Sequence, residues 1–533
     1  MRRVLSSLLA LGAATLATAV LASVIQTQIN LVTVSRLGAA VDAATRFAVT
    51  FEDLARFGPV MAGIALAALV LALPLAGRLG RSLAPLPGIV LLALAGGVGL
   101  WVAFLVIGQF SPMPALVAAT GTSGGLATVC LSGLVGGVVY GVLAPRDHGH
   151  HSTLRVGMVL AVLLVIPVLS FFAVAPPGAG DVVRVDPSSY RVQTVATGLD
   201  RPWSVALLPD GRMLVTERAG RLLVVAADGT RVPIATEGLP PVLTSGGAEL
   251  MSLAVDPDFA DTGWLFMTMG YGEAGANGTR LLRARLEGER LVDIRILFDA
   301  TLKSSAGNNG GALAFLPDGT LVMSVGDGER RDQAQALGSH LGKLVRLDRE
   351  GRVPDDNPYL DHAGAARELF TIGHRNPQGL AFDAAHHVLL LTEHGPRGGD
   401  EINLIEAGSN YGWPLVNGGI DYSFARVTPF ARLDGFAEPL LEWTPSIAPA
   451  GLAIYDGALF TNWRGDLLVP ALRERGLRRV QREDGRIVGQ QVLLGELGER
   501  LRDVKVASDG AVLVLTDGAD ARLLRIVPAH ISR

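Results

Sequence analysis

GALAFLPDGTLVMSVGDG, Gly311 to Gly328, reads as an apolar run, a turn on Pro317-Asp318-Gly319, and a second apolar run. Two short apolar runs around such a turn predict a β-hairpin. The same unit recurs as WSVALLPDGRMLVTE from Trp203, LMSLAVDPDFADTGWLFMTM from Leu250 and QGLAFDAAHHVLLLTEHG from Gln378. A more irregular copy starts at Ala450, and DVKVASDGAVLVLTDG starts at Asp503. That makes six copies at a spacing of roughly 45–75 residues, a period that indicates blades of a propeller. Strand alternation alone also fits a sandwich; six spaced copies favour an all-β six-bladed propeller. The longer spacings read as loop insertions, which tend to build a binding face.

Before these repeats the texture differs. Of 533 residues, the apolar excess behind a mean hydropathy of +0.37 lies almost wholly before residue 176. Five stretches, Val4–Ile25, Pro59–Ala76, Leu86–Ile107, Gly124–Ala144 and Val156–Ala175, have about the 20 residues that cross a bilayer. Arg2 and Arg3, Arg78 and Arg81, and Arg146 and Arg155 place three ends on the cytoplasmic side. The stretch between the first two spans is mixed in charge. An odd number of spans then puts the repeats outside, on the periplasmic or extracellular face of a bacterial-type membrane. If the first span is instead a cleaved signal peptide, the repeats stay outside. The expected organisation is a helical membrane region over 1–176, a linker over 177–189 and the propeller over 190–530. No histidine lies inside a span, so nothing there supplies the usual haem ligand, and His148, His150 and His151 read as a solvated turn. A net charge of −4 gives no footprint for nucleic acid, and the single cysteine, Cys130, cannot form an internal disulfide.

Chemistry concentrates in EHGPRGGDEINLIEAGSNYGWP, Glu393 to Pro414. Carbonyls of Gly395 and Pro396, carboxylates of Asp400 and Glu401, and Tyr411 are oxygen donors of the kind calcium accepts. The plainer reading is a glycine-rich turn whose acids cap neighbouring backbone. Arginines near blade ends, Arg375, Arg473, Arg500 and Arg502, suit carboxylates or phosphates, although any one alone reads as ordinary surface.

From about Tyr190 to Val527 the chain resembles the pyrroloquinoline-quinone (PQQ)-dependent soluble aldose and glucose dehydrogenases, grouped with sorbosone dehydrogenases. GLDRPWSVALLPDGRMLVTERAGRL, LAVDPDF, LGKLVRLDREG, GHRNPQGLAFD, EHGPRGGDEINLI, NYGWP, WTPSIAPAGLAIY, LLVPAL and LRDVKVASDG carry the likeness, in order. The resemblance implies a six-bladed propeller with PQQ and calcium as cofactors. It implies cofactor contacts from Arg473, Arg500, Arg502 and Asn376, and a pocket role for Arg375. It also implies a calcium region through Gly395, Pro396, Asp400, Glu401 and Tyr411, and an acid, Asp327, that partners the general base.

That base is missing. Where the family pattern has His, this chain has Asn308, with Ala312 at a following arginine position and Gly247 at a glutamine. An amide has no basic pKa with which to take a proton from a sugar hydroxyl. No histidine lies between His151 and His340. Either Asp327, His374 or His394 serves instead, or the domain binds PQQ or sugar without oxidising it. The leading expectation is a membrane-anchored PQQ-dependent oxidoreductase acting on an aldose, passing electrons to a quinone or an external carrier. The rivals are a sugar- or PQQ-binding sensor and a calcium-dependent propeller hydrolase.

Overall fold

The computed structural model describes residues 2–79, 88–110, 120, 123–144, 182–243 and 249–529. The expected fifth span, the histidines at 148, 150 and 151, and Gly247 lie outside them. The chain forms two compact units, residues 1–176 with 420–429, and residues 177–419 with 430–533.

In the first unit four helices, Arg2–Arg36, Gly58–Leu79, Gly88–Phe110 and Ser123–Leu143, are long and apolar enough to cross a membrane. The first runs past the expected end at Ile25, because the polar groups that follow bond within the helix. Thr27 Oγ1 donates to the Ser23 carbonyl at 3.0 Å, and Gln26 Nε2 to Asn30 Oδ1 at 3.3 Å. The mixed-charge stretch after it contains a separate helix, Ala43–Arg56, whose first turn is capped by Asp42 Oδ1 accepting from the Thr45 N–H at 2.7 Å. Two of these helices meet at Gly96 and Gly133, where a Cβ on either would overlap the other's carbonyl. Small residues that let backbones approach are what helix packing in lipid uses.

The second unit is the propeller. Each blade is a four-stranded antiparallel sheet, and one gains a parallel fifth strand, Val182–Arg184. The innermost strands are Pro202–Leu207, Leu250–Val255, Gly310–Phe315, Pro377–Asp383, Ala453–Ile454 and Leu501–Val506. They sit where the six sequence repeats fall, and each packs on the next until the sixth meets the first. The ring is closed by the strand Tyr190–Leu199, which pairs with Ala521–Pro528 in the last blade.

One device joins most blades. Five innermost strands carry a register shift near their start, between Pro202 and Ser204, Leu250 and Leu253, Gly310 and Leu313, Pro377 and Gly379, and Leu501 and Asp503. A bulge takes a backbone N–H out of the ladder. In three blades a hydroxyl on the second strand accepts from such an N–H: Thr216 from Ser204, Thr268 from Ser252 and Ser324 from Ala312. These hydroxyls, with Thr392, donate to the next blade, at the carbonyls of Met251, Gly311, Pro377 and Gly451. All four hydroxyl residues are fully buried. The fifth blade has Pro470 in this place. Between the sixth and first blades, Asp503 accepts from the Ser204 hydroxyl and the Val205 N–H instead.

Replacing Thr268 with Val strands a buried N–H and a buried carbonyl, at a cost of about 1–3 kcal/mol. Chemical denaturation of the full chain should show Thr268→Val lowering the propeller's midpoint and Thr268→Ser, which keeps the hydroxyl, lowering it much less. A loss in Thr268→Ser with none in Thr268→Val, which keeps a methyl and lacks the hydroxyl, would mean the methyl, not the hydroxyl, matters.

Candidate active site

In an antiparallel blade, residues just before the first strand and just after the second lie at the same end. Asn308, Arg375, Asn376 and Arg500 precede first strands; Asp327, Gly395, Pro396 and Arg473 follow second strands. The repeat register therefore gathers all eight at one rim, and Arg502 enters from inside its strand.

Asp327 ties this rim together and is fully buried. Its Oδ1 accepts from Asn308 Nδ2 and from the Glu329 N–H, both at 2.8 Å, and its Oδ2 from Trp413 Nε1 at 2.8 Å. Its own N–H donates to the Arg375 carbonyl at 2.7 Å. Asn308 is held at φ +48°, a left-handed conformation that asparagine tolerates better than most residues. Arg375 donates through Nη1 to the carbonyls of His394, at 3.0 Å, and Gly395, at 2.7 Å. Asn376 Oδ1 accepts from the Gly310 N–H at 3.3 Å, which fixes the neighbouring loop.

The candidate replacement bases fare unequally. Asp327 has both carboxylate oxygens engaged. His374 is fully buried, held between Thr371 Oγ1 at 2.9 Å and Glu393 Oε1 at 3.0 Å and stacked on Tyr411. It is a structural histidine. His394 is half-buried, and its Nε2 lies 2.7 Å from the Pro449 carbonyl, so that nitrogen carries the proton. Burial, then the charge of Arg375, with Arg502 and Arg500 behind it, push the imidazole down to about 3. At neutral pH it accepts a hydrogen bond at Nδ1 but is a weak base.

Arg502 is almost fully buried against the face of Trp203, 4.6 Å from the ring centroid. Its carboxylate partner, Asp517 Oδ1, sits no closer than 3.3 Å. Burial pushes Arg502 down to about 10. Burial raises Asp517, yet Arg502, Arg500 and Arg218 together hold it below the usual carboxylate range. Arg218 lies over the same indole at 4.9 Å; its Nε is buried without a hydrogen bond, and Glu249 stands 3.8 Å away. Arg500 bonds Asp517 at 2.8 Å and reaches the Leu472 carbonyl beside Arg473, which is exposed. Three guanidiniums, Arg502 buried, Arg218 partly buried and Arg500 exposed, thus crowd one well-placed carboxylate. Trp203 and Arg218 fall within a matched stretch, but no spacing rule singles them out; only the structure puts both beside Arg502.

The calcium candidates separate. Gly395, Glu401 and Tyr411 line a cleft of about 10 Å³ with Glu393 and Asn417, room for one water-sized occupant. Burial and then the neighbouring Glu393 carboxylate push Glu401 well above its usual range, so a cation there would relieve two crowded acids. Asp400 faces elsewhere: it accepts from the Gly395 N–H, Ser446 Oγ and the Ala448 N–H at 2.7–2.9 Å and acts as a loop strut. The Tyr411 hydroxyl donates to the Leu404 carbonyl and accepts from the Glu406 N–H, leaving only its backbone for a metal. Pro396 does not line the cleft.

Comparison with known proteins agrees with this geometry. The family described as Glucose / Sorbosone dehydrogenase matches residues 199–525. Aldose sugar dehydrogenase YliI of Escherichia coli (strain K12) is 36% identical over 370 residues, 68% of this chain and 99% of its own. Quinoprotein glucose dehydrogenase B of Acinetobacter calcoaceticus is 27% identical over 457 residues, 69% of this chain and 94% of its own. The PQQ-bound form of an aldose sugar dehydrogenase from Streptomyces coelicolor superposes with a TM-score of 0.54 at 28% identity, over 66% of this chain and 100% of that one.

Two lysines that sequence reasoning passed over support the rim from below. Lys343 Nζ donates to the carbonyls of Gln333 and Leu341, and Lys303 Nζ to Asn277 Oδ1 and the Ser305 carbonyl. Burial pushes Lys343 down to about 7 and Lys303 to about 8. The unfolded chain keeps these protons to a higher pH than the folded one, so stability should rise between pH 7 and about 10. Thermal melts across that range should show the rise, and Lys343→Met should flatten it. An unchanged slope in the variant would exclude Lys343 as its source.

Proposed function

From a chain that belongs to the Glucose / Sorbosone dehydrogenase family, we propose a PQQ-dependent aldose dehydrogenase tethered to a membrane by its apolar helices, with the propeller on the outer face. The observation that carries the cofactor assignment is the crowding of Arg218, Arg500 and Arg502 around Asp517. Guanidiniums clustered around a buried one, Arg502, with the Arg218 Nε left unfilled, fit a planar, poly-anionic ligand, and PQQ carries three carboxylates. A quinoprotein and a PQQ-bound dehydrogenase among the relatives support the same choice.

In this reading Arg473, Arg500 and Arg502 hold the cofactor carboxylates, and Asn376 keeps its loop in place. PQQ, when bound, supplies the two-electron acceptor. Arg375, its guanidinium fixed by two carbonyls, is placed to stabilise negative charge that develops on the sugar oxygen. Asn308, locked to Asp327, donates or accepts a hydrogen bond but moves no proton. Glu401, with the backbone of Gly395 and Tyr411, offers calcium a hard oxygen cleft; Asp400 and Pro396 shape the loop around it. Electrons leave to a membrane quinone or an external carrier. The amide at position 308 favours one second reading, a propeller that binds sugar or PQQ as a sensor without oxidising it.

Tryptophan quenching of the full chain in detergent, titrated with PQQ and calcium, tests the cofactor; dye reduction with a panel of aldoses tests the chemistry. Binding with dye reduction is expected, and Arg502→Met should weaken PQQ binding about 10- to 100-fold through loss of a charge-assisted contact. Binding without reduction would select the sensor, and no binding by folded chain would sink the assignment.

A further inference from the structure

We propose that the Glu329 carboxylate accepts the sugar's hydroxyl proton, in the place left empty by the amide of Asn308. The inference rests on the dehydrogenase reading above and names the group that reading lacks. Its basis is position. The Glu329 N–H and Asn308 Nδ2 both lie 2.8 Å from the same oxygen, Asp327 Oδ1, so the two residues flank one point of the rim. Glu329 stands at φ +63°, a left-handed turn costly for a residue with a side chain. That turn folds its carboxylate back over the loop before Asn308, where a Cβ on Gly307 would lie 2.5 Å from Glu329 Oε1. The Gly328 N–H donates to the Asn308 carbonyl at 3.1 Å and Ser305 Oγ to the Gly328 carbonyl, clamping the two loops together.

The other acids and bases at this end are committed or disfavoured: Asp327 by three donors, His374 by burial, His394 by burial and then by neighbouring guanidiniums. Glu329 remains partly exposed, so substrate can reach it. Burial and the Asp327 charge raise its proton affinity, against Arg375, Lys303 and the Ser305 hydroxyl, leaving it above the usual glutamate value. A carboxylate whose pKa moves towards neutral is a better base at working pH.

The step balances with the quinone as oxidant. The O–H bond breaks and its proton goes to a Glu329 oxygen. The C–H bond breaks and its electron pair leaves with hydrogen as hydride to the quinone. The carbon–oxygen double bond forms, and a cyclic aldose yields a lactone.

The test compares the wild-type full chain, with PQQ and calcium, against Glu329→Gln and Glu329→His. Glu329→Gln should lose about 10²–10⁴-fold in kcat. Its PQQ Kd and sugar KM should hold nearly constant, since a transition-state role leaves ground-state binding alone. Glu329→His should recover part of the rate, with the acid limb of the pH profile moved towards about 6.5. In cofactor-free chain, an infrared carboxyl band assigned by its loss in Glu329→Gln should titrate above about 4.3. Glu329→Gln with wild-type kcat and acid limb would overturn this proposal and leave the dehydrogenase standing, as would a band titrating at or below the ordinary value. Wild-type chain that binds no PQQ, or binds it and oxidises nothing, would overturn the dehydrogenase and this proposal with it.

Discussion

The propeller depends on how the bulged inner strands of its blades, five of the six, are satisfied. A bulge removes a backbone N–H from its ladder, and a buried N–H without a partner costs about as much as a lost hydrogen bond. Thr216, Thr268 and Ser324 answer with one hydroxyl each, accepting from their own blade and donating to the next. Thr392 donates onward in the same way. The contact is polar, directional and buried, so it fixes blade-to-blade registry in a way that apolar packing alone does not. In the fifth blade, where Pro470 stands in place of the hydroxyl, the inner strand shrinks to Ala453–Ile454; between the sixth blade and the first, Asp503 makes the link.

Registry, in turn, makes the site. Because strand starts and second-strand ends share a rim, chemistry from third, fourth, fifth and sixth blades converges without any long-range sequence signal. Asp327 is the hub: a single carboxylate reaches the loops of Asn308, Glu329 and Trp413 and abuts the Arg375 backbone. Its oxygens organise rather than react. The charge around it is arranged in two zones. Guanidiniums crowd Trp203 and Asp517, a surface made for an anion. Glu401 and Glu393 crowd a cleft nearby, a concentration of carboxylate oxygens.

The helical unit follows a different logic. Some of its polar side chains bond back along their own helix, as Thr27 does to the Ser23 carbonyl, others bridge helices, as Thr27 also does to Asp53, and its glycines are used for approach, as at Gly96 and Gly133. These habits are those of helices that pack where water is scarce, and four of these helices are long and apolar enough to cross a membrane.

Much of this was written locally. Six hairpins with Pro, Asp or Gly turns specified six blades, because strand period and turn chemistry are properties of adjacent residues. Runs of about twenty apolar residues specified the long helices for the same reason. The threonines and serine that link blades were visible too, at one fixed place in four of the repeats, but their meaning appears only when the next blade lies beside them. Which groups meet at the rim was decided by packing. Asp400 and Glu401 are neighbours in sequence, yet alternate faces of one strand make the first a strut and the second a cleft wall. His374 and His394 look alike as candidate bases; a buried hydrogen-bond pair holds the first, and burial, then the neighbouring Arg375 charge, disfavours the second. Arg218, Trp203 and Glu329 drew no notice, since each gains its partners from segments tens to hundreds of residues away. Sequence determined the elements because they are governed by neighbours along the chain. Tertiary structure alone decided which charges meet, because electrostatics and burial act through space.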